Sequence, residues 1–362
     1  MEKKKGRGSR GTRLPSLCLF VRAGAPSLQF SPVHHQHRVA TYIHMGDDAA
    51  YRASRPYRFV AAATLAIHHQ QQGQYEVLHC PRSFILPPPA ANDPSFEHPF
   101  MAAHRGADHS PDVVGTRCEP WITRGIVTML DQLFEPHHHA LEWSSGSSTM
   151  WTLPRVASLH SVEHTQLWLK SVTDHVRANF DAETAARWEG GFSPCVELRR
   201  GACKGWAHAT LGANDYTEYV ALPRKQLLPA MRARHGGSFP GWDYVMVDGR
   251  SRANCLLEAV RTPGFLNQAS HGLLVLDNAE RGNYDQSAID QVPRSWLKVS
   301  FLYRWDKTTL WMACEKGDAH CVRAHRDLKN LTRAFPRSAS WLKMDRNSHG
   351  IEVTRVPLGT PG

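Results

Sequence analysis

The chain has 362 residues, with 43 Lys and Arg against 33 Asp and Glu, which gives a formal charge of +10. Its 41% hydrophobic residues exclude disorder over the whole length, and no apolar run approaches the roughly 18 residues of a membrane helix. The charge lies at the ends, because residues 1–46 carry +7 and residues 321–362 carry +5, which leaves −2 between them. A nucleic-acid groove needs basic residues on the folded body, so we predict a soluble protein without a nucleic-acid partner.

The first 46 residues are rich in Arg, Lys and Ser and nearly free of acids, a composition typical of organelle transit peptides. An unstructured extension, or translation that begins at Met45, fits the same composition. The transit peptide would direct the protein to a plastid or mitochondrion, and otherwise we expect it in the cytoplasm. Residues 47–111 form an N-terminal extension of unknown role, for which a lid over the site described below is one use.

The eight cysteines form no C-x-x-C pair and no zinc-ribbon spacing. A chain of this length does not depend on a disulfide framework. We therefore expect reduced thiols with mostly structural roles.

The predicted elements begin with an amphipathic helix, in which Ile122, Ile126 and Leu133 recur at helical spacing. A short strand then ends at Glu142 and leads through a small-residue turn into another helix. This order of strand, small-residue loop and helix is typical of phosphate- and nucleotide-binding folds.

Further strands alternate with helices along the chain. The strands are predicted at Ser158–Glu163, Val196–Leu198, Tyr244–Asp248 and Leu273–Asp277, followed by the hairpin segments Lys298–Tyr303 and Thr308–Met312. This alternation predicts an α/β fold over about residues 112–320. We expect a doubly wound, mostly parallel Rossmann-like sheet with a closing antiparallel hairpin and helices on both faces. Residues 321–362 would form a basic C-terminal extension.

Polar residues follow four of these strands where each strand ends, at Glu142, Glu163, Asp248, and Asp277 with Asn278. Ligands of open α/β sheets bind outside the carboxyl ends of the strands, so these side chains should line one crevice. An acid that ends the second strand is placed to hold the two hydroxyls of a ribose.

These segments resemble the motifs of class I S-adenosylmethionine-dependent methyltransferases. The segment Ala140–Thr149 (ALEWSSGSST) is similar to the family's first motif, and Ser161–His164 with Trp168 to its second. The segments Asp243–Arg250 and Leu274–Asn278 are similar to the fourth and fifth. The resemblance covers about 195 residues, from Cys118 to Met312.

The resemblance implies a site for S-adenosylmethionine. Glu163 would hold the ribose hydroxyls, and His164 would lie beside the adenosine. The amino-acid end would be surrounded by Glu142 and by the loop residues Ser144, Gly146, Ser148 and Thr149. Two positions depart from the family pattern: Ser144 replaces the first glycine of G-x-G, and Pro154 stands inside the following helix.

Asp248, Asp277 and Asn278 are oxygen donors at adjacent strand ends, a ligand set suited to Mg²⁺. They resemble the metal site of catechol-type O-methyltransferases, in which the ion holds the acceptor hydroxyl, and Asp248 is the predicted catalytic residue. Alternatively, Asp248 orients cofactor or substrate and the other two merely end a strand. Arg250 and Arg252, which follow Asp248, would bind an anionic acceptor, form an ion pair or lie on the surface.

The leading hypothesis is an enzyme that transfers a methyl group from S-adenosylmethionine to an oxygen or nitrogen of a small-molecule acceptor, with or without Mg²⁺. A non-catalytic descendant that serves as a binding module is the second hypothesis. A nicotinamide-dependent oxidoreductase is less favoured, because a dinucleotide fingerprint needs three glycines and the loop has only Gly146.

Overall fold

The computed structural model describes residues 48–72, 120, 122–196, 216–280, 286–303, 306–334, 342–344 and 350–354. The strands in these ranges are β1 (His139–Trp143), β2 (Ser158–Glu163), β3 (Trp188–Phe192), β4 (Tyr244–Val247), β5 (Leu273–Leu276), β6 (Leu297–Tyr303), β7 (Asp306–Met312), β8 (Leu342–Met344) and β9 (Ile351–Thr354). The α-helices are α1 (Ala49–Ala53), α2 (Arg55–Gln72), α3 (Arg124–Leu133), α4 (Ser147–Thr152), α5 (Gln166–Asn179), α6 (Ala182–Ala186), α7 (Thr217–Leu222), α8 (Leu228–Arg234), α9 (Arg252–Arg261), α10 (Gln286–Ile289) and α11 (Ala319–Ala334). None of the helices described is long and apolar enough to cross a membrane.

The nine strands of the described ranges join one sheet in the order β3-β2-β1-β4-β5-β7-β6-β9-β8. Strands β1 to β5 are parallel, and β7 runs antiparallel between β5 and β6. The central strands β4 and β5 consist of apolar residues that are all buried, as expected for parallel strands covered on both faces. The predicted doubly wound sheet with its closing hairpin is confirmed.

The third strand lies at Trp188–Phe192, so its prediction at Val196–Leu198 is wrong. Strand β3 is an edge strand with two consecutive glycines and a largely exposed surface, so it lacks the apolar pattern of a buried strand. Val196 is 49% exposed and belongs to no strand, and the two residues after it lie outside the described ranges.

Pro154 does not kink a helix, because α4 ends at Thr152 and a 3₁₀ turn over Leu153–Arg155 takes its place. In that turn Pro154 stands within the first two positions, where its missing N–H costs no hydrogen bond. Pro154 therefore breaks no helical hydrogen bond, because the helix ends before it.

The described part of the N-terminal extension belongs to the core. Phe59, Val60 and Ile67 of α2 are fully buried in the same apolar cluster as the strands. Arg55 donates a hydrogen bond to the carbonyl of Ser270, just before β5, and Arg58 pairs with Glu135, just before β1. These partners lie at the amino edge of the parallel strands. Helix α2 is therefore not a lid over the carboxyl edge, and that use of the segment is wrong for residues 48–72.

The described part of the C-terminal extension also belongs to the core. Helix α11 packs on α2, and the Tyr51 hydroxyl of α1 donates to Asp327 Oδ2 of α11 at 2.7 Å. Strand β9 extends the sheet through parallel pairing with β6, and Ile351 and Val353 are fully buried. The boundaries predicted near residues 112 and 320 therefore do not separate structural units.

The expectation of reduced thiols is wrong for part of the chain. Cys314 and Cys321 form a disulfide, with their Cα atoms 6.2 Å apart, and Cys195 is also disulfide-bonded. Spacing could not reveal the Cys314–Cys321 pair, because the two residues meet only when the segment after β7 folds back onto the start of α11. Cys255 remains a buried free thiol.

Candidate functional site

The loop after β1 has the backbone conformation of a glycine-rich turn, although its first glycine position is occupied by Ser144. Ser144 has a φ of +94°, a positive value that residues other than glycine rarely adopt. Its backbone N–H donates to the carbonyl of Val162 at 2.8 Å, and the Gly146 N–H donates to Thr149 Oγ1 at 2.8 Å. Trp168 Nε1 donates to the Ser145 carbonyl at 2.7 Å. The loop is thus held in place from three sides.

Glu142 is buried beneath this loop and holds it by hydrogen bonds. Its carboxyl group accepts from Ser148 Oγ at 2.7 Å, from Ser161 Oγ at 2.6 Å and from Thr149 Oγ1. Burial raises the pKa of Glu142 to about 7, although the three hydroxyl donors act in the opposite direction. Its side chain is fixed by neighbours within the fold, so the predicted contact with the cofactor's ammonium group is not what this geometry provides.

Ser148 and Thr149 therefore differ from their predicted role as well. Both side chains are buried and donate to Glu142, so they position the loop from below. What remains for a ligand at this point is the backbone of the loop around Ser144 and Gly146.

Glu163 ends β2 beside the loop, as predicted. Its carboxylate accepts from the backbone N–H groups of Ser145 at 3.1 Å, His164 at 2.8 Å and Thr165 at 3.0 Å. The Ser145 hydroxyl adds a fourth contact at 3.3 Å. Glu163 and the loop are therefore in direct contact, and a ribose would compete with Ser145 for this carboxylate.

His164 lies next to Glu163, with its side chain 23% exposed and its Nδ1 atom 2.8 Å from Glu163 Oε1. The rings of Tyr216 and Tyr219 stand edge-on to His164, each with its centroid 6.0 Å away. Both tyrosines are buried, so they support the imidazole from the core side. The structure thus brings together Glu163, His164 and the loop after β1, as the resemblance implied.

The three predicted metal ligands converge, but they surround a guanidinium group. Arg252 Nη2 lies 2.8 Å from Asp248 Oδ1, and Arg252 Nη1 lies 3.4 Å from Asp277 Oδ2 and donates to Asn278 Oδ1 at 2.9 Å. The remaining Asp277 oxygen accepts from Thr308 Oγ1 at 2.8 Å. A fixed positive charge already stands among these oxygens, so they do not fit Mg²⁺ and the metal prediction is wrong.

Asp248 differs from Asp277 in its exposure, since a quarter of the Asp248 side chain is exposed and Asp277 is buried. Loss of hydration raises the pKa of Asp248 to about 8, while Arg252 opposes the rise and Asp277 adds to it. Its backbone N–H lies 3.2 Å from the carbonyl of Trp143, directly before the loop. Asp248 is therefore a partly exposed carboxyl group at the end of β4, with a raised pKa and an Arg252 partner.

Sequence reasoning missed the hydroxyl partners of the acids. Ser161 stands opposite Glu142 in the register of β1 and β2, a relation that only the pairing of the strands shows. The ion-pair interpretation of Arg252 is confirmed, and its position four residues after Asp248 was the signal for it.

No family model matches the chain, and no curated protein matches it. Among solved structures, a methyltransferase-like protein from Silicibacter pomeroyi is 18% identical, with a TM-score of 0.30, over 54% of this chain and 88% of its own. A predicted O-methyltransferase from Agrobacterium tumefaciens is 11% identical, with a TM-score of 0.27, over 50% and 75%. The YcgJ protein from Bacillus subtilis is 10% identical, with a TM-score of 0.25, over 60% and 87%.

Similarity at these scores carries no argument about substrate or cofactor. The fold class rests on the chain itself: parallel strands β1 to β5, the reversed strand β7 between β5 and β6, and the small-residue loop after β1. This is a Rossmann-like fold, as the alternation of strands and helices predicted.

Proposed function

We propose that this protein is a methyltransferase that uses S-adenosylmethionine and acts on an oxygen or nitrogen of a small-molecule acceptor. The observation that carries the proposal is the meeting of the loop after β1, Glu163 and His164 at the carboxyl edge of this sheet. The positive φ of Ser144 supports it further, because the loop keeps the backbone of a glycine turn at a steric cost.

The residues fit the cofactor at its adenosine end. Glu163 offers a carboxylate to the ribose hydroxyls in exchange for its contacts with Ser145, and His164 offers a partly exposed ring beside it. The cofactor supplies an electrophilic methyl group when bound. The loop backbone around Gly146 is the part of the site left for the amino-acid end.

Asp248 is the group that we assign to the acceptor. Its raised pKa makes it a stronger base than an ordinary aspartate, so its ionised form is suited to take a proton from a hydroxyl or amine as that atom is methylated. Arg252 holds the carboxyl group in position at 2.8 Å. Positioning of the two reactants supplies the rest of the acceleration.

The test is calorimetric titration with S-adenosylhomocysteine. We expect the wild-type protein to bind at micromolar strength and Glu163→Gln to bind at least tenfold more weakly. The matched control is Glu183→Gln, in α6, whose side chain is 83% exposed and pairs only with Arg187 in the contacts described. Absence of binding by the wild-type protein, or equal binding by Glu163→Gln, contradicts the proposal.

A second candidate function, a non-catalytic binding module, is favoured by one observation. Glu142 and Glu163 are both supplied with hydrogen-bond donors from within the fold, so the closed loop is stable without a ligand. The same titration separates the two candidates, because a module that has lost the pocket gives no heat with S-adenosylhomocysteine.

A further inference from the structure

A second cluster of reactive side chains lies at the amino edge of the parallel strands, opposite to the candidate site. His271 stands just before β5, Cys314 just after β7, and Cys321 in the first turn of α11. The pairing of Leu273 with Met312 brings the first two segments side by side. Ligand atoms of His271, Cys314 and Cys321 all lie within 4.8 Å of one another.

The imidazole of His271 is oriented on both sides. Its Nδ1 atom lies 3.1 Å from the Ala313 carbonyl and 3.9 Å from Cys321 Sγ, and its Nε2 atom lies 3.7 Å from Asp318 Oδ2. The Asp318 carboxylate is itself fixed, because its other oxygen accepts from the backbone N–H groups of His320 at 2.7 Å and Cys321 at 2.9 Å. Histidine ligands of metals usually donate their second ring N–H to a carboxylate, a backbone carbonyl or water, and Asp318 Oδ2 lies on that side of His271.

The backbone of His271 gives an independent sign that its side chain matters. Its φ is +55°, in the left-handed region, which costs a residue other than glycine about 1–2 kcal/mol. Glycine would occupy this position without that cost. The chain instead places an imidazole here, against the cysteine pair and the Asp318 carboxylate.

We propose that the reduced form of this cluster binds Zn²⁺ through Cys314 Sγ, Cys321 Sγ and His271 Nδ1, with Asp318 as the positioning residue for the imidazole. Zn–S distances of about 2.3 Å and Zn–N distances of about 2.0 Å put the ligands of a tetrahedral ion roughly 3.5–3.8 Å apart. Cys321 Sγ lies 3.9 Å from His271 Nδ1, close to that separation, and reduction of the disulfide frees the two sulfur atoms to move apart to it. Water completes the tetrahedron.

The two states exchange by thiol chemistry. A dithiol reductant gives two electrons and two protons to the Cys314–Cys321 disulfide, becomes a disulfide itself and leaves two thiols. Zn²⁺ then displaces one proton from each thiol, and the two thiolates neutralise its charge. When His271 binds the ion it gives up its contact with Ala313 and takes the neutral form that carries its one proton on Nε2. This leaves the Nδ1 lone pair for zinc and directs the Nε2–H group towards Asp318. The disulfide and the zinc ion are thus alternative links between the end of β7 and the start of α11.

The experiment uses the full-length protein and zinc chloride. One sample is oxidised, and a second is treated with dithiothreitol and then desalted without oxygen. Bound zinc is counted by elemental mass spectrometry, and affinity is measured by competition with a chromophoric chelator. Cobalt(II) serves as a second probe, because its absorption bands report thiolate ligands and tetrahedral geometry.

We expect the reduced protein to hold one zinc ion that the oxidised protein lacks. Replacing both cysteines by Cys314→Ser and Cys321→Ser should remove that ion. His271→Gly should weaken its binding at least 100-fold while relaxing the backbone, and Asp318→Asn should weaken it about 10–100-fold. Cys255→Ala, which removes a buried free thiol elsewhere, is the control and should leave the ion in place.

Several results would overturn the proposal. These are equal zinc content in the oxidised and reduced proteins, wild-type affinity in reduced His271→Gly, and a disulfide that resists dithiothreitol while circular dichroism shows a folded chain. If the double cysteine variant does not fold, reduced His271→Gly and Asp318→Asn decide the question, because both variants keep the two thiols that would bind zinc.

Discussion

At the scale of single residues, the loop after β1 combines a glycine conformation with a serine side chain. We expect Ser144→Gly to stabilise the protein by about 1 kcal/mol, because glycine adopts a φ of +94° without steric cost. Urea unfolding measures the change. Ser147→Gly, at the first position of α4, is the control and should destabilise by about 0.5–1 kcal/mol, since glycine is a poor helix former.

The same substitution also bears on the site. Removing the Ser144 side chain widens the loop, so we expect Ser144→Gly to bind S-adenosylhomocysteine more tightly than the wild-type protein. A variant that is less stable than the wild-type protein would show that the serine side chain makes a contact that outweighs its strain.

Glu142 predicts a pH dependence of stability. Its pKa rises from 4.5 to about 7 on folding, so the folded chain binds more protons than the unfolded chain between these values. The stability contributed by this group is therefore greatest below pH 4.5 and is lost as the pH rises to 7. Glu142→Gln removes the ionisation. As the pH rises from 4.5 to about 8, we therefore expect the free energy of unfolding of this variant to increase relative to that of the wild-type protein by up to about 3 kcal/mol.

Unfolding by urea at several pH values measures this difference. Glu183→Gln, on the exposed surface of α6, is the control and should follow the wild-type protein at every pH. A constant difference between Glu142→Gln and the wild-type protein across the range would mean that Glu142 is not protonated on folding.

At the scale of elements, the buried strands were predictable and the edges were not. Tyr244–Val247 and Leu273–Leu276 are continuous apolar runs, as expected of strands covered on both faces. Strand β3 was not predicted at its true position, because it has two glycines and an exposed edge and so lacks this apolar pattern. The mostly parallel direction of the strands followed from their alternation with helices.

The positions of the strand-end acids were predictable, but their hydrogen-bond partners were not. The carboxyl edge gathers the strand-end acids in any parallel sheet, so Glu163 and Asp248 were found from the strands alone. Their neighbours depend on register and on helix rotation. Register and helix rotation bring Ser161 to Glu142 and Arg252 to Asp277. These contacts cannot be predicted from the order of residues along the chain.

The contact between α1 and α11 yields a prediction for these elements. Tyr51→Phe removes the donor to Asp327 Oδ2, which leaves a buried carboxylate oxygen without this partner. We expect a loss of about 1–3 kcal/mol in the free energy of unfolding. The Arg323 guanidinium, 4.3 Å from the centre of the Tyr51 ring, keeps its contact in this variant.

A double-mutant cycle with Asp327→Ala isolates the hydrogen bond from other effects of each change. Additive losses in the double variant would show that the two side chains are not coupled.

At the scale of the whole molecule, residues 48–72, which precede the predicted domain, are a part of the fold. A chain that begins at Gly73 loses Phe59, Val60 and Ile67, which are fully buried. Each loss of such a side chain costs about 2–5 kcal/mol, against a total stability of about 5–15 kcal/mol. We therefore expect this shortened chain to aggregate or to unfold without a cooperative transition.

Differential scanning calorimetry compares it with a chain that begins at Asp47, which retains both helices. A cooperative transition at the same temperature in the two chains would contradict the prediction.

The hydrogen bond between Tyr51 and Asp327 joins residues 276 positions apart. Ribosomes add about 5–20 residues per second, so roughly 15–55 s pass between the synthesis of its two ends. During that time helix α2 can pack on α3, but its contact surface for α11 has no partner. Helix α11 therefore completes this core late in synthesis, and until α11 has been made the nascent chain exposes the apolar surface of α2 to chaperones and to aggregation.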